Sequence, residues 1–161
     1  MRTVDQLRMR TSPARVFRAA ADVEQWPLLL SHYRWVHVLD RDAECTVVEM
    51  AAWRPFGPLR YPTWWVSEMW IDQLAGTIRY RHIRGITRGM DVVWHIQPSG
   101  NETDVSIVHE WQGPAWPVVG AAAAKLVIGP VFIHGIASLT LAGIARHVES
   151  VGQSVRRSGR R

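Results

Sequence analysis

Cysteine is almost missing from this 161-residue chain, with Cys45 the only one. That excludes a disulfide framework and a cysteine-based zinc site, and it makes a reducing, cytoplasmic compartment the expectation. The first twenty residues alternate charged and apolar positions without a long apolar core, so no signal peptide is expected. The histidines show neither HxH nor HxxxH spacing and no carboxylate is grouped with them, so no metal is expected. A Gly-rich phosphate loop, a nucleophile elbow and a supported Ser/His/Asp arrangement are lacking too, which leaves no sign of nucleotide or serine-hydrolase chemistry. Internal repeats are absent.

The net charge of +5 hints at nucleic acid until it is located. Arg156, Arg157, Arg160 and Arg161 crowd the end of the chain, and without them the remainder is close to neutral. We therefore expect one domain over 1–154 and a basic, disordered tail over 155–161, with no nucleic-acid partner. Acidic and basic residues are both absent from Leu126 to Ala145, long enough for a membrane span. Gly129-Pro130 interrupts that run and His134, Ser138 and Thr140 sit within it, so it reads as a buried helix of a soluble domain.

What the chain does have is tryptophan, nine in all. In the run from Pro62 to Asp72, strand alternation sets Trp65, Ser67 and Met69 on one face and Trp64, Glu68 and Trp70 on the other. Trp26, Trp94 and Trp111 fall in other segments. Large apolar rings on several successive strands suit the wall of a cavity for a flat apolar ligand.

The element order reads as a strand (Val4–Arg10), two short helices, six strands and a long helix. Ser12-Pro13 opens the first helix, through Ala20, and Asp22 the second, Val23–Ser31. The six strands are Tyr33–Asp40, Cys45–Arg54, Thr63–Asp72, Thr77–Thr87, Met90–Gln97 and Thr103–Gln112, separated by turn-like segments. In Thr77–Thr87 the residues Ile78, Tyr80 and His82 oppose Arg79, Arg81 and Ile83. From Val118 to about Gln153 apolar residues recur at helical steps. The fold class is α+β: a curved seven-stranded antiparallel sheet wrapped around a long C-terminal helix, which usually leaves a cavity between them.

This order, with Asp22-Val-Glu-Gln-Trp-Pro27, Ser31-His-Tyr33, Trp65-Val-Ser67, Met90-x-x-x-Trp94 and His109-Glu-Trp111, resembles the START-like, or helix-grip, superfamily over roughly residues 3 to 150. Within it the motifs are similar to those of polyketide aromatase/cyclases. The resemblance implies a pocket lined by Trp26, Tyr33, Trp65, Ser67, Met69, Arg81, Met90, Trp94, His109 and His134. Three departures stand out. Met69 occupies the place of a pocket arginine, His109 that of a common glutamine, and His134 that of a common asparagine.

Aldol cyclisation and dehydration of a poly-β-ketone needs a shaped pocket, an oxyanion donor and a group that moves protons. The resemblance offers Arg81 as the donor, His109 and His134 as proton movers, and Tyr33 and Ser67 to orient a carbonyl. Trp26, Trp65, Met69, Met90 and Trp94 would bind the ligand. No cofactor is called for, and the substrate would arrive free or on an acyl carrier protein, at a monomer or homodimer. Other members of the superfamily are carriers of lipids or quinones, and the loss of the arginine at Met69 favours that non-catalytic alternative.

Overall fold

The computed structural model describes residues 1–56, 59–112 and 130–158. Strand β1 (Arg2–Met9) is followed by helix α1 (Pro13–Ala21), a single 3₁₀ turn (Val23–Gln25) and the short helix α2 (Trp26–Leu29). Six strands come next: β2 (Tyr33–Arg41), β3 (Thr46–Phe56), β4 (Leu59–Asp72), β5 (Thr77–Gly85), β6 (Asp91–Ser99) and β7 (Glu102–Glu110). The long helix α3 (Pro130–Ser158) ends the described chain. The strands form one antiparallel sheet in the order β1-β7-β6-β5-β4-β3-β2. A meander of six strands explains most of that order, and β1 closes on β7 with Thr3 opposite His109.

The expected architecture is the one found; the differences lie at element ends. Pro13 takes the first helical turn of α1 as expected, where its missing N–H costs nothing, but neither Ser12 nor Asp22 makes a side-chain cap. Helix α3 runs to Ser158, so residues 155–158, expected in a disordered tail, are helical, and 159–161 lie outside the described residues. Residues 113–129, which include the first four positions (126–129) of the expected buried run, also lie outside them. Among the described residues no helix is long and apolar enough to cross a membrane.

Helix α3 lies on the concave face of the sheet, burying Ile136, Ala137, Leu141, Ile144 and Val148. These recur at steps of one, four, three and four residues, which keeps them on one stripe. Strand alternation supplies the opposing face: Val48, Met50 and Ala52 from β3, Ile78 and Tyr80 from β5, Val105 and Ile107 from β7. Gly85 permits the close approach of β5 to β4. At φ +93° it sits opposite Trp65, and a Cβ there would stand 2.7 Å from the Trp65 Cα. Just beyond, between Val66 and Ser67, the pairing slips, so Ser67 faces His82.

Candidate functional site

The tryptophans divide by strand parity. Trp35, Trp53, Trp64 and Trp70 lie on the convex, outer side of the sheet. There Arg34 is held between the rings of Trp35 and Trp53, its guanidinium carbon 4.7 and 4.6 Å from their centroids. The Trp64 indole N–H donates to Glu49 at 2.7 Å. Trp26, Trp65 and Trp94 instead point into the space between sheet and helix, where they wall a cavity of about 70 Å³ open to the centre of a water molecule.

The cavity walls are built from the bottom up by strand and helix periodicity. From α2 and β2 come Trp26 and Tyr33, whose rings meet edge to face at 5.1 Å; Trp26 lies 5.9 Å from Trp94 of β6. The Trp26 indole N–H is satisfied by the Ala19 carbonyl at 3.1 Å, which leaves its ring free to act as wall. β3 contributes Met50 and Arg54, and β5 contributes Tyr80 and His82. Met90, Val92, Ile107 and His109 complete the sheet side, and Ile136, Ala137 and Thr140 of α3 close the top.

Polar groups gather at one part of this apolar chamber. The Tyr33 hydroxyl hydrogen-bonds Thr140, and burial pushes its ionisation well above the ordinary phenol range. The Thr140 hydroxyl donates to the Ile136 carbonyl at 2.8 Å. Toward His32 Nε2, at 2.9 Å, it can therefore only accept, which places the His32 proton on Nε2. Burial also lowers the imidazoles: His82 to about 3, with His109 and Arg54 adding repulsion, and His109 to about 4, with Arg54 as the second cause. Both are neutral at pH 7. His82 is anchored by Nδ1 to the Thr87 hydroxyl at 2.6 Å and stacks on Trp65 at 5.8 Å. Burial pulls the Arg54 guanidinium down to about 9, so it still carries its charge at neutral pH. The Tyr80 hydroxyl and His109 Nδ1 are among the buried atoms that have no hydrogen-bond partner among the described residues. Both belong to residues lining the cavity. Unmet polar atoms in an apolar cavity are what an incoming ligand would satisfy.

Of the ten residues expected at the site, six are brought together: Trp26, Tyr33, Trp65, Met90, Trp94 and His109 line the cavity. Ser67 and Met69 face inward and are buried, but they pack beyond the cavity wall. Arg81 and His134 do not reach it. Arg81 lies on the outer face of β5, exposed and 3.5 Å from Asp91 across the sheet, because parity sends it opposite to Tyr80 and His82. His134 lies on the flank of α3 and pairs through Nδ1 with Asp5 of β1; it ties helix to sheet edge. Asp5 is buried beneath it, and burial raises its carboxyl while His134 pulls it down.

Four polar residues of the cavity were not anticipated from sequence: Arg54, Tyr80, His82 and Thr140. The alternation that paired Tyr80 with His82 against Arg81 was the available signal for two of them. For Arg54 the signal was its even spacing from Met50 and Ala52. The guanidinium absent at Met69 thus enters the chamber from the neighbouring strand. Among the described residues no group of three histidine, cysteine or acidic side chains is placed to hold a metal ion.

No curated protein matches this chain significantly by sequence. Among solved structures, TTHA0849 from Thermus thermophilus superposes with a TM-score of 0.78 at 20% identity, covering 94% of this chain and 99% of that one. The Zhui aromatase/cyclase from Streptomyces sp. R1128 gives 0.78 at 15% identity, with coverage of 92% and 93%. A START superfamily protein from Mycobacterium smegmatis gives 0.69 at 15% identity, with coverage of 93% and 98%. These likenesses establish the helix-grip fold. The family described as polyketide cyclase/dehydrase and lipid transport matches residues 9–131, and with the fold and the aromatic-walled cavity in place, this chain belongs to that family.

Proposed function

We propose that the protein acts in the cytoplasm as a polyketide cyclase/dehydratase, closing a ring by aldol addition and then removing water. The observation that carries this reading is that His109 and Tyr80, whose Nδ1 and hydroxyl are buried without a hydrogen-bond partner among the described residues, line one chamber together with the tryptophans and Arg54. A neutral imidazole can take a proton from a carbon flanked by two carbonyls, and such a proton is acidic enough for a weak base. The enolate carbon then attacks a second ketone; the new C–C bond leaves an alkoxide, which is protonated. Loss of a further α-proton and of the protonated hydroxyl gives the ring double bond and water. Arg54 faces the developing oxyanion, and Tyr80, held un-ionised by burial, gives up a proton to the alkoxide. Tyr33 orients a carbonyl at the Thr140 end of the chamber. Arg81 and His134, on the surface, have no part in this scheme.

The chamber in this closed form admits several waters or one small ring, below the roughly 300 Å³ of a drug-sized pocket, so a multi-ring substrate enters with displacement of wall side chains. The substrate would come free or on an acyl carrier protein. The test supplies a poly-β-ketone made in situ by a minimal synthase and compares the products with and without the protein. A shift toward one regiospecific aromatic product is expected, and His109→Gln should lower that rate by about a hundred- to ten-thousand-fold. Binding of the polyketide with an unchanged product pattern would overturn the catalytic reading and leave a lipid or quinone carrier.

A further inference from the structure

The β3–β4 hairpin outruns the rest of the sheet. β2 pairs with β3 only as far as Ala52, and β5 with β4 only from Trp65 onward, whereas β3 and β4 pair with each other out to Phe56 and Leu59. Past those points the hairpin is a two-stranded ribbon with no further strand beside it among the described residues. Its sequence, Trp53-Arg-Pro-Phe-Gly-Pro-Leu-Arg-Tyr-Pro-Thr-Trp64, is rich in aromatic residues, arginine and proline and holds no acidic residue. Tyr61 is 53% and Trp64 39% exposed, and Arg60 and Pro62 are exposed as well. On the convex side Trp53 faces Pro62 across the ribbon, and the exposed Arg34 lies between Trp53 and Trp35. A lone ribbon gains little stability by itself, so aromatic rings clustered in water on one mark a surface for something else.

Aromatic rings and arginines on a narrow, projecting element suit the interface of an anionic bilayer. Indole and phenol rings lodge at headgroup depth, where the ring leaves water and its N–H or O–H keeps polar partners. An arginine near an anionic surface strengthens binding about fivefold. Arg84, exposed and opposite Val66, joins Arg34 and Arg60 on this side, against Glu49, which accepts the Trp64 indole N–H. Other occupants fit less well. Pro55 and Pro62 lack the N–H that an added strand from a second copy would use. The Arg34 guanidinium occupies a ring face of both Trp35 and Trp53, where the bases of a nucleic acid would stack. A two-stranded ribbon also offers far less than the roughly 800 Å² a side of a stable protein complex.

We propose that the β3–β4 ribbon docks the protein reversibly on anionic phospholipid membranes, with its aromatic rings at headgroup level and Arg34, Arg60 and Arg84 against the phosphates. Arg54, at the root of the ribbon, lines the cavity, so docking sets the chamber beside a source of apolar ligand. The inference rests on the fold and this surface, and on no reaction in the cavity.

The test sediments the full-length protein with sucrose-loaded vesicles of phosphatidylcholine, alone or mixed equally with phosphatidylglycerol. At about 0.1 M salt the mixed vesicles should bind about tenfold or more tightly than the neutral ones, and about 1 M salt should remove most of that difference. Arg60→Gln/Tyr61→Ser/Trp64→Ser should weaken binding to the mixed vesicles about tenfold or more. Arg79→Gln/Arg81→Gln removes exposed cations from β5, outside the ribbon, and should change it less than about threefold. No binding by the wild type, or equal binding to both vesicles, would overturn the proposal. So would an equal loss in the two variants, or a loss confined to Arg156→Gln/Arg157→Gln, which would put the binding on the arginines near the end of the chain. Capture of an oligo(dT) strand or of a purified acyl carrier protein, with no vesicle binding, would overturn it in favour of that occupant. Should the triple variant not fold, Arg60→Gln/Tyr61→Ser touches exposed side chains only; a loss of about fivefold supports the proposal and unchanged binding overturns it. Cyclised product, present or absent, bears on the catalytic reading and leaves this one untouched.

Discussion

Acidification should unfold this protein through its cavity histidines. The folded state holds His82 at about 3 and His109 at about 4, against 6.5 for an exposed imidazole. Above pH 6.5 both states hold the rings neutral and the shifts cost nothing. Below it the unfolded chain binds protons that the folded one refuses, so stability falls steadily as pH drops toward the folded values. At pH 5.0 each of these two histidines favours the unfolded state by about 2 kcal/mol, on the order of 4 kcal/mol together. For a domain of this size that lowers Tm by roughly 10 °C, a large part of a typical total stability of about 5–15 kcal/mol. His32, lowered to about 4 and only partly buried, acts in the same direction with a smaller effect. Asp5 opposes the trend, because burial raises its carboxyl and the folded state gains that proton first. Thermal melts at half-unit steps from pH 7.5 to 5.0 read the slope, and His109→Gln should remove close to half of it. A flat profile over that range would mean that both imidazoles charge inside the folded protein, and the account of a dry, neutral chamber would be wrong.

Other perturbations separate the chamber from its surroundings. Arg81→Ala, which removes an exposed pair with Asp91, should change Tm by no more than about 2 °C and leave the affinity for aromatic probes unaltered. Trp65→Ala should cost about 3–5 kcal/mol in a urea melt, since the ring is 5% exposed and stacks on His82. Gly85→Ala should destabilise by about 1–3 kcal/mol, because the added methyl meets the β4 backbone and φ is positive there; a neutral result would contradict the close β4–β5 approach.

Much of the fold was legible because period and punctuation are local properties. Alternation in Thr77–Gly85 and helical steps after Ile133 identify strand and helix whatever they pack against. Boundaries moved by a few residues where pairing with a neighbour, and not propensity, decides the end: β4 begins at Leu59 because Phe56 pairs with it across the hairpin. Site residues were legible where parity and motif agreed, as at Trp65, and failed where they disagreed. Arg81 was placed inside by resemblance although its own strand set it against Tyr80 and His82. His134 was carried inward by position, whereas the buried stripe of α3 runs through Ile136, Ala137 and Thr140, about a quarter turn away.

By itself the sequence determined the order of elements, the apolar stripes and which residues of each strand share a face. It also determined that tryptophan outnumbers tyrosine and phenylalanine, and that no acidic residue occurs between Trp111 and Val148. Only the tertiary structure decided which of the two faces looks inward, and hence that Arg54, Tyr80, His82 and His109 line one cavity while Arg81 and His134 do not. The physical reason is that side-chain period is local, whereas burial comes from the curvature of seven paired strands around one helix. Local spacing also says nothing of how far burial will shift a titrating group. The same imidazole type ends neutral in the chamber at His109 and paired with Asp5 at the surface at His134.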